Sequence, residues 1–202
     1  MNTEQSDRKN ATPSSAGISS IAAAQQDMRQ GYLGGAPGAL VSGLMWVMAG
    51  CVATWVSPQR AVWALFIGGM FIHPVAVLCA KLIGQPGKHS AGNPLGALAM
   101  ATTIWMIMML PLAYGISLWR IDLFFPAMLF VIGGRYLCFQ MLYGMRLYWV
   151  FGAILGSAGY ALASLHAAVA LSAFTGGLIE IAVAFLLALS ARRKAAALPA
   201  VA

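Results

Sequence analysis

Charged residues are scarce in this chain. Only 8% of its 202 residues are Asp, Glu, Lys or Arg, whereas about 25% is usual for soluble domains. With only five acidic residues, the chain offers few candidates for catalysis by a pair of carboxylates. The sequence also contains no phosphate-binding glycine loop and no GxSxG or HExxH signature. This composition excludes a water-exposed globular domain and argues against the common classes of soluble enzyme.

Cysteine is also rare, with three residues at Cys51, Cys79 and Cys138. All three lie inside apolar runs, and none belongs to a CxxC pair. Buried cysteine usually behaves as a small hydrophobic residue. We therefore expect no disulfide, no redox role, no metal site and no cofactor.

Long apolar runs are what the chain does contain. Hydrophobic residues make up 60% of it, and the mean hydropathy is +0.79. Crossing about 30 Å of hydrocarbon takes about 20 helical residues, and six runs approach or exceed that length. We predict an all-α integral membrane protein whose residues 37–191 form a bundle of six transmembrane helices. The predicted spans are 37–56, 61–83, 95–118, 123–142, 147–165 and 169–191.

The segments on either side of this bundle are more polar. Residues 1–17 are rich in Ser, Thr, Asn and Gln, which predicts a disordered tail and no secretory signal. Residues 18–35 place Ile18, Ile21 and Met28 on one helical face, which predicts a short amphipathic helix at the membrane interface. Residues 192–202 form a basic C-terminal tail.

Basic residues predict the orientation of the bundle. An even number of spans puts both termini on one side, and that side collects nine of the 12 Lys and Arg residues. The opposite side holds only Arg60 and Arg120. The positive-inside rule then places both termini in the cytoplasm. We expect a multi-pass protein of a plasma membrane, the inner membrane in a bacterium, with lipid rather than nucleic acid as its partner.

Three ionisable residues lie inside predicted spans: His73, Arg135 and Glu180. Each follows the start of its span by about a dozen residues, which places all three roughly 17–19 Å below the same edge of the membrane. A carboxylate at that depth costs roughly 2.5–3.5 kcal/mol. The pattern predicts a buried polar site for a small solute or a proton.

Structural explanations compete with this site. Glu180 and Arg135 could form an ion pair that only fixes two helices together. Arg135 could instead extend its long side chain to the nearer interface. His73 precedes Pro74, which frees the Met70 carbonyl, so the imidazole could simply donate to that oxygen.

Small residues recur at spacings typical of close helix packing. The predicted spans two, four and six each carry a glycine pair, and span five has glycines four residues apart. Such positions indicate packing inside the bundle or between protomers of a homo-oligomer. These glycines are Gly68, Gly69, Gly133, Gly134, Gly152, Gly156, Gly176 and Gly177.

Three classes of function remain. The leading hypothesis is a small transporter or channel that uses Glu180, Arg135 and His73. The alternative is a non-transporting membrane subunit or assembly factor that holds a partner protein. An intramembrane enzyme would need a nucleophile or metal near His73 and Glu180, and the sequence offers neither.

Overall fold

The computed structural model describes residues 20–196, with side chains to residue 193. The predicted N-terminal tail at 1–17 and most of the predicted C-terminal tail lie outside this range. Within it the chain is helical and contains no β-strand. Its α-helices are α1 (Ile21–Tyr32), α2 (Ala36–Trp55), α3 (Pro58–Leu82), α4 (Leu95–Trp119), α5 (Phe124–Tyr143), α6 (Leu147–Ser164) and α7 (Val169–Ala196).

Six helical segments of the described chain are long and apolar enough to cross a membrane, which confirms the predicted number. The boundaries differ by a few residues from the predicted ones. α3 begins at Pro58 because Ser57 caps it, its hydroxyl accepting a hydrogen bond from the Arg60 amide at 3.2 Å. α7 continues to Ala196, past residue 191, where the predicted span ends.

A glycine break separates α1 from α2. Gly34 and Gly35 have φ values of 61° and 89°, in the left-handed region that favours glycine. The run from Ile21 to Trp55 would otherwise be a single helix of 35 residues, about 52 Å long and too long for one span. The break makes α1 a separate element at one end of the bundle, which we call the α1 end. The opposite end, where α4 meets α5, is the far end.

The bundle is built around two closely packed helix pairs. α2 packs on α7 and α3, and α5 packs on α6 and α4. A Cβ atom on Gly43 would lie 2.9 Å from the Gly177 carbonyl oxygen, and one on Gly177 would lie 2.9 Å from the Gly43 carbonyl oxygen. α2 and α7 therefore meet backbone to backbone. Gly133 and Gly152 bring α5 and α6 equally close.

The other predicted packing glycines divide into three groups. Gly68 faces Met45 of α2, and Gly176 faces Trp46, both within 3 Å of where a Cβ would lie. Gly134 meets only the edge of Trp105, at 3.3 Å. Gly69 and Gly156 have no atom within 4 Å of that position, so neither needs to be glycine for its own close contact.

Candidate functional site

Glu180 is sealed inside the bundle. It lies on α7 one turn after Gly177, so the close contact with α2 carries it against that helix, and its side chain is only 1% exposed. Ser42 of α2 and Tyr136 of α5 are its nearest polar neighbours. Neither carboxyl oxygen has a hydrogen-bond partner of good geometry among the described residues. The acidic group is thus buried with two hydroxyl groups beside it and with no ion pair among the described residues, so little compensates the loss of hydration of its charged form.

Two more buried polar groups lack partners in the described structure. They are the Trp46 indole N–H on α2 and the Ser172 hydroxyl on α7, the latter two helical turns before Glu180. Trp46 is 1% exposed and Ser172 is fully buried. These groups are hydrogen-bonding sites that the closed packing leaves without partners.

Arg135 lies on α5 but points towards α4. One terminal nitrogen donates to the Thr103 hydroxyl at 3.0 Å, and the other donates to the Met106 sulfur at 3.3 Å. The guanidinium carbon lies 5.1 Å from the centre of the Phe139 ring. The buried Nε has no acceptor among the described residues. The guanidinium thus rests on neutral groups, one of which is a weak acceptor.

The ion pair between Glu180 and Arg135, which the sequence allowed as an alternative to a functional site, is not formed. The two groups are close enough to interact electrostatically, but the ion pairs of the described chain all involve Asp122. The reason lies in helix geometry, because consecutive residues of a helix point about 100° apart. Tyr136 occupies the side of α5 that faces Glu180, and Arg135 therefore faces α4.

His73 does not join the other two residues. It is exposed on the surface of α3, and its imidazole takes part in none of the side-chain hydrogen bonds found between residues 20 and 193. The alternative contact with the Met70 carbonyl is therefore not formed. Glu180 thus lies inside the bundle, Arg135 faces α4, and His73 lies apart from both on the surface of α3.

Aromatic clusters cover Glu180 towards both ends of the bundle. On the far side, Trp46 packs against Phe125 with ring centres 5.6 Å apart, and the contacts continue to Phe124 and Phe66 at 5.0 and 5.3 Å. On the α1 side, rings of α5 and α6 stack closely. We call this second group the α1-side cluster; its members are Tyr136, Phe139, Tyr143, Tyr148 and Phe151.

α1 is fastened beneath the α1-side cluster through the end of α5. Gln25 donates to the Met141 carbonyl at 2.8 Å, and Arg29 donates to the Tyr143 carbonyl. The last carbonyls of a helix have no partner within it, and a cation there also complements the helix dipole. α1 therefore supplies a cap for α5. The Tyr148 hydroxyl completes this contact by donating to the Gly34 carbonyl.

A second set of contacts fastens α1 to the loop between α3 and α4. The Asp27 carboxylate accepts hydrogen bonds from the Ser90 amide at 3.0 Å, the Ser90 hydroxyl at 2.6 Å and the Asn93 side chain at 2.7 Å. Asn93 is buried, donates also to the Ala24 carbonyl at 3.0 Å, and accepts from the Leu95 amide at 2.9 Å. The side-chain amide of Asn93 thus binds the first residue of α4 through its oxygen and α1 through its nitrogen.

The far end is held by an exposed charge cluster. Arg120 binds Asp122 through two hydrogen bonds, of 3.1 and 2.6 Å, and also contacts the His166 ring at 3.0 Å. The Arg120 hydrogen bonds lower the pKa of the Asp122 carboxyl, which lies before the start of α5. This cluster joins the α4–α5 turn to the α6–α7 turn.

These observations define an all-helical protein with six helices of membrane-spanning length and composition, and with a sealed acidic group between three of them. The chain belongs to a family of unknown function, DUF7010, whose model matches residues 21–190. The match starts at the first residue of α1, so α1 is part of the family's domain. No curated protein and no solved structure matches the chain.

Sequence reasoning missed several residues of this region. Ser42 and Tyr136 gave no signal, because a serine and a tyrosine in apolar runs are common. Asn93 precedes Pro94, a pattern typical of a helix start, but its contact with Asp27 joins residues 66 positions apart, and neither residue indicates it.

Proposed function

We propose that the protein is a small multi-pass membrane transporter or channel in which Glu180 is the proton-binding group. Six apolar helices joined by short connectors support insertion in a membrane. The excess of Lys and Arg at the α1 end supports an orientation with that end and both termini in the cytoplasm. In a bacterium the membrane would be the inner membrane.

The burial of the Glu180 carboxyl without an ion-pair partner among the described residues is the observation that carries the proposal. In a dry apolar interior such a group is stable only as the neutral acid, because an unpaired carboxylate loses its hydration without compensation. Loss of the proton must therefore be accompanied by a rearrangement that brings partners or water to the oxygen atoms. Proton binding and helix movement would be coupled at this residue.

Arg135 is the partner that such a rearrangement would recruit. It is already within electrostatic range of Glu180, and it holds α4 to α5 through Thr103 and Met106. When Glu180 loses its proton, its negative charge attracts the guanidinium away from α4. The contact between α4 and α5 then weakens at mid-depth. This mechanism does not use His73, which lies apart on α3.

Proton flux into proteoliposomes tests the proposal. Vesicles loaded with the pH-sensitive dye pyranine are given a potassium gradient, and valinomycin then creates a membrane potential. The wild-type protein should acidify the vesicle interior faster than empty vesicles do. Glu180→Gln should abolish this flux, since it keeps the side chain's size but cannot exchange a proton. Arg135→Met should slow it, since the deprotonated state loses its partner.

Asp122→Asn is the matched control, because it also removes one carboxylate but at the far end. It should retain wild-type flux. Wild-type flux in a folded Glu180→Gln variant would refute the role of Glu180.

The second candidate is a non-transporting membrane subunit. It is favoured by the exposed apolar surfaces of α3 and α4, which carry large side chains such as Trp63, Phe71 and Met108. A partner that co-purifies in fixed ratio, together with no flux from the wild-type protein, would support this candidate instead.

A further inference from the structure

α1 and the glycine break that follows it connect three parts of the α1 end that otherwise belong to different helices. Within α1, Asp27 binds the α3–α4 loop, and Gln25 and Arg29 bind the end of α5. In the break, the Gly34 carbonyl accepts a hydrogen bond from Tyr148 of α6. Gly31 adds a backbone contact, its carbonyl accepting from the Gly87 amide at 3.0 Å. A movement of α1 would therefore release all three parts together.

The glycine break next to α1 touches the rings that cover Glu180. A Cβ atom on Gly35 would lie 2.4 Å from the Tyr148 hydroxyl and 3.3 Å from the Tyr143 ring. Tyr148 in turn stacks on Tyr136, with ring centres 5.7 Å apart, and Tyr136 faces Glu180. The chain of contacts thus runs from α1 through two layers of buried tyrosine to the acidic group.

α1 is held by a narrow buried face and by a set of hydrogen bonds. Its buried residues are Ala24, Met28 and Gly31, of which Ala24 and Met28 pack in the hydrophobic core. The hydrogen bonds of Gln25 and Ser90 are exposed, and water can replace exposed hydrogen bonds at little cost. An element attached in this way can leave while the bundle above it stays folded.

We propose that α1 is the gate of the Glu180 site on the α1 side. In the closed state its hydrogen bonds keep Tyr143 and Tyr148 in place. When they break, the rings separate and Glu180 becomes accessible to water from that side only. This inference rests on the proposed function for its meaning, but the movement itself can be measured without any transport assay.

A cysteine beside Glu180 can show whether water-soluble reagents reach the Glu180 site. In a variant with Cys51, Cys79 and Cys138 replaced by Ser, Ser42→Cys places a thiol of similar size next to the carboxyl. A charged, membrane-impermeant methanethiosulfonate reagent is then added to vesicles of both orientations. With α1 intact, the thiol should react slowly from either side, because Ser42 is buried.

Two variants open the gate by different routes. Asp27→Ala removes the acceptor of three hydrogen bonds, and Gly31→Ala puts a methyl group 2.5 Å from the Lys88 carbonyl oxygen. Each should speed labelling at least ~5-fold from the α1 side, which corresponds to losing one ordinary hydrogen bond. Labelling from the far side should not change. Gln30→Ala, on the exposed side of α1, should label like the parent.

Three results would overturn the gate. They are unchanged labelling in both variants, acceleration from both sides alike, and rapid labelling from the α1 side when α1 is intact. If the two variants fail to fold, Tyr148→Phe replaces them, because it removes only the hydroxyl that binds Gly34. Normal flux in Glu180→Gln with α1-dependent labelling would refute the proton site and leave the gate standing.

Discussion

The two ends of the bundle are closed by different chemistry. At the α1 end, the hydrogen bonds that Asn93 makes with Ala24 and Asp27 are buried or partly buried, whereas those of Gln25 and Ser90 are exposed. At the far end, the link is an ion pair in which the Arg120 side chain stays 38% exposed and Asp122 is partly buried, with the exposed His166 ring beside them. Exposed ion pairs contribute roughly 0–1 kcal/mol and are screened by salt. Buried polar groups left without partners cost about 1–3 kcal/mol. The stability of the protein should therefore depend more on the α1 end.

Gly35→Ala should have the largest effect. The added methyl group would lie 2.4 Å from the Tyr148 hydroxyl, at a backbone position with φ of 89°. Overpacking and backbone strain together should destabilise the protein by about 3 kcal/mol. Thermal unfolding in detergent measures this. Gly115→Ala in α4 is the control, since no atom lies within 4 Å of the new methyl group, and its melting temperature should change little.

Asn93→Ala should have the next largest effect. It removes three hydrogen bonds at a buried position: those to Asp27 and to the Ala24 carbonyl, and the one that the Leu95 amide donates. We expect a loss of about 2 kcal/mol in the same unfolding measurement. Ser90→Ala removes only one hydroxyl contact with Asp27, and its loss should be about half as large. Equal losses in the two variants would mean that the buried amide contributes nothing specific.

Asp122→Asn should have the smallest effect, below about 1 kcal/mol at low salt and less at high salt. Because Arg120 lowers the pKa of Asp122 in the folded protein, its contribution is present above the ordinary value of 3.8 and is lost as the pH falls through the lower folded value. The melting temperatures of wild type and variant should therefore differ by a constant amount above pH 5 and converge below 3.8. A loss larger than that of Asn93→Ala would reverse the ranking of the two ends.

The number and position of the helices could be predicted because each apolar run carries its own signal. Pro58 and Arg60 lie in α3, although the predicted span begins at residue 61, because the Ser57 cap starts the helix three residues earlier. The burial of Glu180 could also be predicted from a single acidic residue within an apolar run.

The direction of Arg135 could not be predicted. A helix that is apolar on every side gives no sign of which side faces its neighbours, so rotation of α5 decides whether residue 135 or 136 meets Glu180. The same holds for His73, whose depth follows from counting residues but whose exposure depends on how far α3 and α4 lie apart. The contact of Asp27 with Asn93 joins distant parts of the chain, and neither residue reveals it alone.

The glycine contact between α2 and α7 has a consequence for assembly. During synthesis α2 is made first among the six long helices and α7 last, and more than 100 residues separate Gly43 from Gly177. The glycine surface of α2 therefore has no partner until the final helix enters the bilayer. A chain stopped after α6 would lack both Glu180 and the glycine contact between α2 and α7, so the last helix supplies the buried acid and the packing partner of α2 at the same time.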